Sequence, residues 1–444
     1  MTAANNPLDL WIAAKLGLGQ RPLTRAALTD WQLGCLQETL TWTRARSSFY
    51  QQHLSMLGNR KLSSLTDLAY LPFTTADDIT ADPLRFVCVS QGDIDRVVTL
   101  DTSGTTGMPK RLFFTAADQE ITLDFFDHGL RLMAKAGDTV LILLPGDKPS
   151  SVGDLLRQAV RRLGGTPIVA GTPHDVAATA ALAMEKAAAL IIGIPVQVLA
   201  LARHFREKDL TAASVAKVLL CSDNVPDTIC QEISSIWNCE VFQDWGMTEL
   251  GYGGGVDCSA HCGYHLQEGD FLFEVVDART GGPLPSGEIG EIVITTLTRR
   301  GMPLIRYRTG DLSRFIDQPC SCGSVLRRLD RIETRKTGLV RLASGEISMA
   351  SLDAVLFREK EVEDFTASLI KASPSSVLKI KIHPAASASA HATALCRSLQ
   401  QAVTGIAAIH AACESGLLTV DIELTGEAIP FTRQKRALKL EPAP

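Results

Sequence analysis

Hydrophobic and polar positions follow two alternating patterns in the middle of the chain, between residues 138 and 245. Amphipathic patterns typical of helices, such as 152–163 and 196–207, separate short continuous apolar runs. Those apolar runs occupy 139–145, 166–171, 189–194, 217–222 and 240–245. Apolar strands that alternate with amphipathic helices indicate a parallel sheet covered by helices on both faces. The pattern predicts an α/β fold whose ligands bind beyond the carboxyl ends of the strands.

The first hundred residues predict mostly helix, because apolar residues such as Leu36 and Leu40 recur at helical spacing. Thr75 is expected to cap a helix there, since acidic residues follow it in the first turn. Beyond Gly251 the pattern changes to strands at 271–277 and 288–297, which indicates a small β subdomain.

These changes of pattern predict two domains. Residues 1–328 form a large domain with mostly parallel sheets, which includes the β subdomain at about 252–328. Residues 329–444 mix strand-like runs with a helical pattern and predict a smaller, mobile α+β domain.

Composition excludes several functional classes. The chain has 444 residues, of which 45% are hydrophobic and 21% charged, as expected of a globular protein. A net charge of −5 disfavours binding to nucleic acid, although residues 298–338 form a basic strip suited to a polyanionic ligand. The start lacks the pattern of a secretory signal, and the most apolar stretch, 187–202, is too short to span a membrane. We therefore expect a cytoplasmic protein whose eleven cysteines are thiols or metal ligands.

Residues 102–110 combine glycines, hydroxyl side chains and a lysine directly after a strand-like run. Glycines allow the backbone to approach a ligand, and amides and hydroxyls form a concave anion site. The spacing differs from that of a P-loop and from that of a dinucleotide-binding turn. Taken alone, such a cluster is more typical of a polar surface turn.

Two further segments change that interpretation, namely 245–249 (Trp-Gly-Met-Thr-Glu) and 307–312 (Tyr-Arg-Thr-Gly-Asp-Leu). Together with 102–110, and in the same order, they resemble the three motifs of the adenylate-forming superfamily of acyl-CoA synthetases, luciferases and peptide-synthetase adenylation domains. The segment 71–78 (Leu-Pro-Phe-Thr-Thr-Ala-Asp-Asp) resembles the phenylacetate–CoA ligase branch of that superfamily. The resemblance extends over essentially the whole chain.

The resemblance implies an AMP-forming acid–thiol ligase that uses ATP, a small carboxylic acid and coenzyme A (CoA). Thr248 would contact the α-phosphate and Glu249 would hold Mg²⁺, while Lys435 near the C terminus would reach the reacting groups during adenylation. The phosphates of ATP would bind to the loop residues Ser103, Gly104, Thr105, Thr106 and Gly107, and to Lys110.

The remaining nucleotide contacts follow from the same resemblance. Trp245, which stands where the family usually has tyrosine, and Gly246 would line the adenine site. Asp311 would accept the ribose hydroxyls, for which an ionised carboxylate is well suited. Asp223 would contact the adenine edge. Arg308 and one of Arg327 or Arg328 would reach the nucleotide, and Arg328 is the one assigned. Asp330 would be the hinge between the two domains.

Cysteine and histidine residues cluster at two places with spacing typical of a structural zinc site. The first is the segment 258–265 and the second is 320–323. Similar pairs occur in zinc-bearing members of the resembled branch, which implies Cys258, His265, Cys320 and Cys322 as Zn²⁺ ligands. His261 or Cys262 is an alternative for one of these positions, and surface thiols on turns are the alternative to a metal site.

Two other functions are compatible with the sequence. The first is an adenylating enzyme that transfers its acyl group to a carrier protein or another acceptor. The second is a noncatalytic nucleotide- or zinc-binding protein with the same fold. The resemblance is also compatible with a homodimer, and apolar loops do not identify the carboxylic acid.

Overall fold

The protein has a mixed α/β fold, seen in a computed structural model that describes residues 6–58, 61–100, 109–211, 214–332, 334–335, 338–372, 374–385, 388, 391–426 and 436–442. The chain divides into two compact units. Unit 1 comprises Met1–Asp138, Gly146–Pro167 and Phe242–Ile332, and unit 2 comprises Thr139–Pro145, Ile168–Val241 and Glu333–Pro444. The domain boundary near residue 328 stays a prediction.

The helices include short 3₁₀ helices at Ser55–Leu57, Leu65–Tyr70, Pro83–Phe86, Gln91–Asp93 and Thr248–Leu250. The α-helices are α1 (Pro7–Lys15), α2 (Arg25–Arg46), α3 (Ser48–His53), α4 (Ala76–Ala81), α5 (Ala116–Leu130), α6 (Val152–Leu163), α7 (Val176–Glu185), α8 (Pro195–Glu207), α9 (Asp227–Trp237), α10 (Met349–Leu356), α11 (Ala392–Thr404) and α12 (Ala407–Glu414). Within the described part of the chain, no helix has the length and apolar character needed to cross a lipid bilayer.

The first half of the chain contributes strands β1 (Arg96–Leu100), β2 (Lys110–Phe114), β3 (Thr139–Ile142), β4 (Thr166–Val169), β5 (Leu190–Gly193), β6 (Lys217–Leu220) and β7 (Glu240–Trp245). Strands β8 (Gly255–Val256), β9 (Tyr264–Leu266), β10 (Phe271–Val276), β11 (Gly290–Thr296), β12 (Tyr307–Ser313), β13 (Phe315–Ile316) and β14 (Arg328–Leu329) follow. The last strands are β15 (Thr334–Arg335), β16 (Val340–Leu342), β17 (Gly345–Ile347), β18 (Val362–Lys371), β19 (Ser376–Pro384), β20 (Leu418–Leu424) and β21 (Lys439–Pro442).

Unit 1 combines the N-terminal helices with antiparallel strands. The predicted cap of α4 is confirmed, because the Thr75 hydroxyl accepts from the N–H of Asp78 at 3.2 Å and the Asp78 carboxylate accepts from the N–H of Thr75 at 2.8 Å. Strands β10, β11 and β12 pair in antiparallel order, as the β pattern after residue 251 predicts. Burial alternates along β12, so that Tyr307, Thr309 and Asp311 share its buried face.

A buried arginine links several parts of the unit 1 core. The side chain of Arg306 is 2% exposed and forms an ion pair with Glu274, at 2.9 Å between Nη2 and Oε1. Its Nη1 donates to the carbonyl oxygens of Ala69 and Leu71, at 3.1 Å and 2.7 Å. Burial raises the pKa of Glu274, and the charge of Arg306 opposes this change. The guanidinium therefore joins β10 and β12 to the chain that precedes α4.

Unit 2 contains the parallel strands predicted from the apolar runs. Strand β5 pairs in parallel with β3 on one side and with β6 on the other, and its residues Leu190–Gly193 are buried. Strands β18 and β19 pair in antiparallel order, and β20 and β21 add to them in parallel. Arg203 of α8 pairs with Glu232 of α9 and donates to the carbonyl oxygen of Val362 at 2.5 Å.

Arg436, whose side chain is 13% exposed, lies among acidic side chains of unit 2. Its Nη1 donates to Oδ1 of Asp353 at 2.6 Å, and its Nε lies 3.1 Å from Oδ1 of Asp364. The guanidinium carbon also lies 4.4 Å from the ring centre of Phe365. Burial raises the pKa of Asp353 to about 6, and Arg436 limits this rise. The backbone N–H of Arg436 donates to Oδ2 of Asp223 at 3.4 Å.

Replacing Arg306 should destabilise unit 1 strongly. Arg306→Leu leaves Glu274 buried without its cation, which typically costs about 3–5 kcal/mol. The midpoint of urea-induced unfolding, followed by tryptophan fluorescence, should fall clearly below that of the wild type. The matched control is Arg341→Leu, because Arg341 is 88% exposed and its pair with Glu346 is on the surface. Equal midpoints for the two variants would contradict the assignment.

Candidate active site

The loop after β7 has a tightly constrained path. Trp245 ends the strand and Gly246 follows it, where a Cβ atom would lie 1.7 Å from the carbonyl oxygen of Tyr252. Only glycine fits so close to another backbone segment. The N–H of Tyr252 donates to the carbonyl oxygen of Met247 at 2.9 Å, which closes the loop. The 3₁₀ helix Thr248–Leu250 is therefore held at the carboxyl end of the strand.

Glu249 lies in this short helix with its side chain 3% exposed. Lys110, the first residue of β2, forms an ion pair with Oε1 of Glu249. Tyr307 of β12 donates its hydroxyl to the same oxygen at 2.9 Å, and Nζ of Lys110 lies 3.3 Å from that hydroxyl. A buried charged carboxylate requires such partners. The structure thus brings together two residues, Lys110 and Glu249, that the sequence assigns to phosphate and to Mg²⁺.

Arg299 fixes the backbone of Glu249. Its Nη1 donates to the Glu249 carbonyl oxygen at 2.6 Å, and its guanidinium lies over the ring of Phe114, 4.8 Å from the ring centre. Burial lowers the pKa of Arg299, whereas the nearby carboxylates Asp118 and Glu249 act in the opposite direction. The buried guanidinium of Arg299 thus fixes the backbone of the residue that carries the site carboxylate, Glu249.

Sequence patterns do not single out Tyr307 or Arg299 as site residues. For Tyr307, the usable signal is the alternation along β12, which places it on the same face as Asp311. For Arg299, the signal is its membership of the basic strip between residues 298 and 338. Neither signal identifies the partner, because Arg299 and Glu249 are 50 residues apart in sequence.

Asp311 lies on the buried face of β12 and is 3% exposed. The indole N–H of Trp245 donates to its Oδ2 at 3.0 Å. The N–H of Asp311 donates to the hydroxyl of Thr309 at 3.1 Å, and Gly310 between them has a φ of +77°, which favours glycine. The predicted adenine-site and ribose-site residues are thus in direct contact.

Other residues predicted to contact the nucleotide have partners within the protein. Both terminal nitrogens of Arg328 donate to backbone carbonyl oxygens, those of Cys262 and Gln318, next to the cysteine clusters. Arg308 donates to Glu291, at 2.9 Å from its Nε. Asp223 belongs to unit 2, where it accepts from Arg436. Contacts of Arg328 and Asp223 with the nucleotide stay predictions.

Two more assignments also stay predictions. Asp330 accepts at its Oδ2 from Nε of Arg314 at 2.9 Å, and its role as a hinge is untested by this contact. Thr248 is half-buried at the start of its 3₁₀ helix. The phosphate-loop residues Ser103, Gly104, Thr105, Thr106 and Gly107, together with Lys435, lie outside the described residues.

Four side chains with metal-binding atoms meet in unit 1: those of Cys258, His265, Cys320 and Cys322. Their ligand atoms all lie within 4.8 Å of one another. Cys258 follows β8, His265 lies in β9, and the other two occupy the turn between β13 and β14. This is the ligand set that the resemblance implies. His261 instead faces Asp257, with 2.7 Å between Nδ1 and Oδ2, and Cys262 is exposed.

The spacing of these atoms fits a tetrahedral zinc ion. The sulfurs of Cys258 and Cys320 are 3.6 Å apart, and that of Cys322 is 3.3 Å from Nε2 of His265. Zinc with ordinary bond lengths separates two sulfurs by roughly 3.8 Å and a sulfur from a nitrogen by roughly 3.5 Å. A hydrogen bond from Cys258, together with His265, lowers the pKa of Cys322, which favours the thiolate that binds metal. The same hydrogen bond raises the pKa of Cys258, and burial raises that of Cys320.

Comparison with known proteins gives a consistent result. The sequence model of the family described as AMP-binding enzyme matches residues 78–298. Phenylacetate-coenzyme A ligase of Thermus thermophilus is 29% identical over 353 residues, which are 77% of each chain. The same enzyme of Pseudomonas putida is 24% identical over 76% of this chain and 77% of its own.

Solved structures agree in fold. The crystal structure of 2-hydroxyisobutyryl-CoA ligase in the postadenylation state, in complex with R3-HIB-AMP, superposes with a TM-score of 0.77. The match covers 93% of this chain and 89% of that one, at 20% identity. The chain belongs to the adenylate-forming superfamily of AMP-binding enzymes, in the branch that resembles phenylacetate–CoA ligase.

Proposed function

We propose that this chain is an ATP-dependent ligase that joins a carboxylic acid to CoA through an acyl-AMP intermediate. One observation carries the proposal: separate chain segments bring Lys110 and Tyr307 onto the buried carboxylate of Glu249. The relatives most useful for comparison are phenylacetate-coenzyme A ligases, which match over about three quarters of this chain.

In the first half-reaction, a carboxylate oxygen of the acid attacks the α-phosphorus of ATP. The bond from the α-phosphorus to the bridging oxygen breaks, and pyrophosphate leaves with that electron pair. The barrier is largely electrostatic, so cations and donors around the phosphates lower it. Lys110 supplies one cation next to Glu249, and we assign Thr248 to the α-phosphate. Lys435 would neutralise charge as it develops on the reacting oxygens.

Glu249 would hold Mg²⁺, which, when bound, screens the phosphate charges. The residues present fit this ion, because a carboxylate oxygen is the hard ligand that it prefers. Lys110 occupies that oxygen in the structure, and the ammonium can exchange it for a phosphate oxygen. Arg299 would keep the carboxylate in place during this exchange, since it holds the backbone of Glu249.

In the second half-reaction, the thiol sulfur of CoA attacks the acyl carbonyl carbon. The bond to the AMP oxygen breaks, AMP leaves, and the thiol proton passes to solvent. CoA is favoured as the acceptor because the curated relatives are CoA ligases. Transfer to a carrier protein, movement of the C-terminal domain about Asp330, a homodimer and a cytoplasmic location stay predictions.

We also propose a structural Zn²⁺ site formed by Cys258, His265, Cys320 and Cys322. A closed set of three sulfurs and one imidazole suits a structural zinc ion and leaves no position open for substrate. The ion would join the turn between β13 and β14 to the strands that follow Glu249. Its expected contribution is to stability rather than to the chemistry.

The ligase is tested by measuring pyrophosphate release from ATP and Mg²⁺ with a panel of aryl and short-chain acids, with and without CoA. One acid should stimulate release, and CoA should increase turnover and yield a thioester and AMP. Acid-dependent release without a CoA product would favour the carrier-protein acceptor. Absence of release across the panel, despite ATP binding, would favour the noncatalytic alternative.

Glu249→Gln should lower the rate of pyrophosphate release at least about 100-fold, because it removes the carboxylate that would hold Mg²⁺ at the phosphates. The matched control is Glu346→Gln, since Glu346 forms a surface ion pair with Arg341 on the hairpin of β16 and β17. Both proteins should retain the circular dichroism spectrum of the wild type. Equal rates for the two variants would argue against a role of Glu249 in the reaction.

Zinc is tested by elemental analysis of protein expressed in zinc-supplemented medium, where about one Zn²⁺ per chain is expected. Cys320→Ser should release the metal and lower the melting temperature, because metal binding is coupled to folding. The control Cys396→Ser, which changes a cysteine of α11 outside the cluster, should keep both.

The same measurement identifies the histidine ligand. His265→Ala should lose the zinc and His261→Ala should retain it, since His261 faces Asp257. Wild-type protein that contains no zinc, or a Cys320→Ser protein that retains it, would contradict the site.

A further inference from the structure

One of the hydrogen bonds between two motif segments joins Trp245 to Asp311. The indole N–H of Trp245, at the end of β7, donates to Oδ2 of Asp311 on β12, with 3.0 Å between the atoms. The two residues are 66 positions apart in sequence, and both belong to unit 1. They are 5% and 3% exposed, so this bond lies out of bulk water. A polar contact in such surroundings is stronger than one at the surface.

The indole ring has little freedom to move. Its edge meets the ring of Phe273, with ring centres 6.1 Å apart and planes inclined at 62°. On another side it contacts Gly254, where an added Cβ atom would lie 2.8 Å from ring carbons Cε3 and Cζ3. Only glycine at position 254 therefore leaves room for the indole ring where it lies. A ring packed in this way presents its N–H in a fixed direction.

The chemistry of the two groups determines what the bond can do. An ionised carboxylate is acceptor-only, with two oxygens, and the indole N–H is donor-only. The indole donor on Oδ2 restricts the rotation of the carboxylate about its last bond, where side-chain rotation is otherwise broad. Tyrosine, the usual residue at position 245 in the family, carries a hydroxyl that both donates and accepts and lies at a different place.

We propose that Trp245 is a positioning residue for the nucleotide ribose. Its N–H holds the Asp311 carboxylate in the orientation that accepts the ribose hydroxyls. This inference rests on the proposed function, in which Asp311 binds the ribose. It predicts that removing the N–H weakens the binding of nucleotides that carry the ribose hydroxyls. A change in the packing of the ring would instead affect nucleotides with and without these hydroxyls equally.

The test compares ATP with 2′,3′-dideoxy-ATP, which lacks both hydroxyls, by calorimetric titration. Wild-type protein should prefer ATP. Trp245→Phe should reduce this preference about five- to tenfold, the range expected for the loss of one ordinary hydrogen bond. The affinity for 2′,3′-dideoxy-ATP should fall less than that for ATP, because any loss of ring packing at the adenine site acts on both nucleotides alike. The control Trp31→Phe loses a bond of similar length, from its indole N–H to the Gly269 carbonyl oxygen, and should leave the preference unchanged.

A second substitution covers the case in which Trp245→Phe does not fold. Replacing Trp245 with β-(3-benzothienyl)alanine keeps the two-ring shape and exchanges the N–H for sulfur. The same loss of preference is expected. An equal loss of affinity for both nucleotides, or no change for either, would overturn the proposal in favour of a packing role.

Asp311→Asn separates failure of this inference from failure of the proposed function. Loss of the preference in Asp311→Asn but not in the Trp245 variants leaves the ribose role of Asp311 in place and removes that of Trp245. An unchanged preference in Asp311→Asn rejects the ribose role itself, and the positioning role falls with it.

Discussion

A buried carboxylate must have partners, and the arrangement of unit 1 follows from this requirement at Glu249. The side chain is almost fully enclosed, and the groups that compensate it come from two distant strands. Lys110 belongs to β2 and Tyr307 to β12, so that both strands must be in place before Glu249 has its complete environment. An uncompensated charge at this depth would cost several kcal/mol. Local order at the site therefore depends on long-range order in the unit.

The same principle applies to other charges in unit 1. Glu268 pairs with Arg25 of α2 at 2.5 Å, and it also accepts from the N–H of Arg327 at 2.7 Å. Asp118 accepts from the N–H groups of Arg300 and Gly301, at 2.8 Å and 3.0 Å. Such bonds contribute less to net stability than to the selection of one conformation, because each buried charged group has few other partners with which it could be satisfied. Because these ion pairs and hydrogen bonds are directional, they orient the helices relative to the strands, in addition to the hydrophobic contacts between them.

Local patterns in the sequence predict much of this structure. The runs that become β3, β5 and β6 are visible because a buried parallel strand must be apolar on both faces. The cap at Thr75 is visible because its partner is three residues away. The four metal-type residues are visible because cysteine and histidine are rare and recur at recognisable spacing.

Contacts between residues that are distant in sequence cannot be predicted in the same way. Nothing local links Arg299 to the carbonyl oxygen of Glu249, or Arg328 to that of Cys262. A basic residue in a motif-rich segment has several suitable partners, and the register of the strands selects among them. The interrupted order of unit 1 and unit 2 along the chain is also a property of packing, which no composition shift marks.

That interrupted order has a consequence for synthesis on the ribosome. Unit 1 takes its residues from three separated segments, so its first segment is made long before its last. At ordinary elongation rates, roughly 5 to 20 s pass between Asp138 and Phe242. During that interval the N-terminal helices exist without β10 to β12, and their apolar faces have no sheet to cover them. A fragment that stops before β12 would leave this apolar surface uncovered, and we expect it to aggregate rather than fold into a smaller domain.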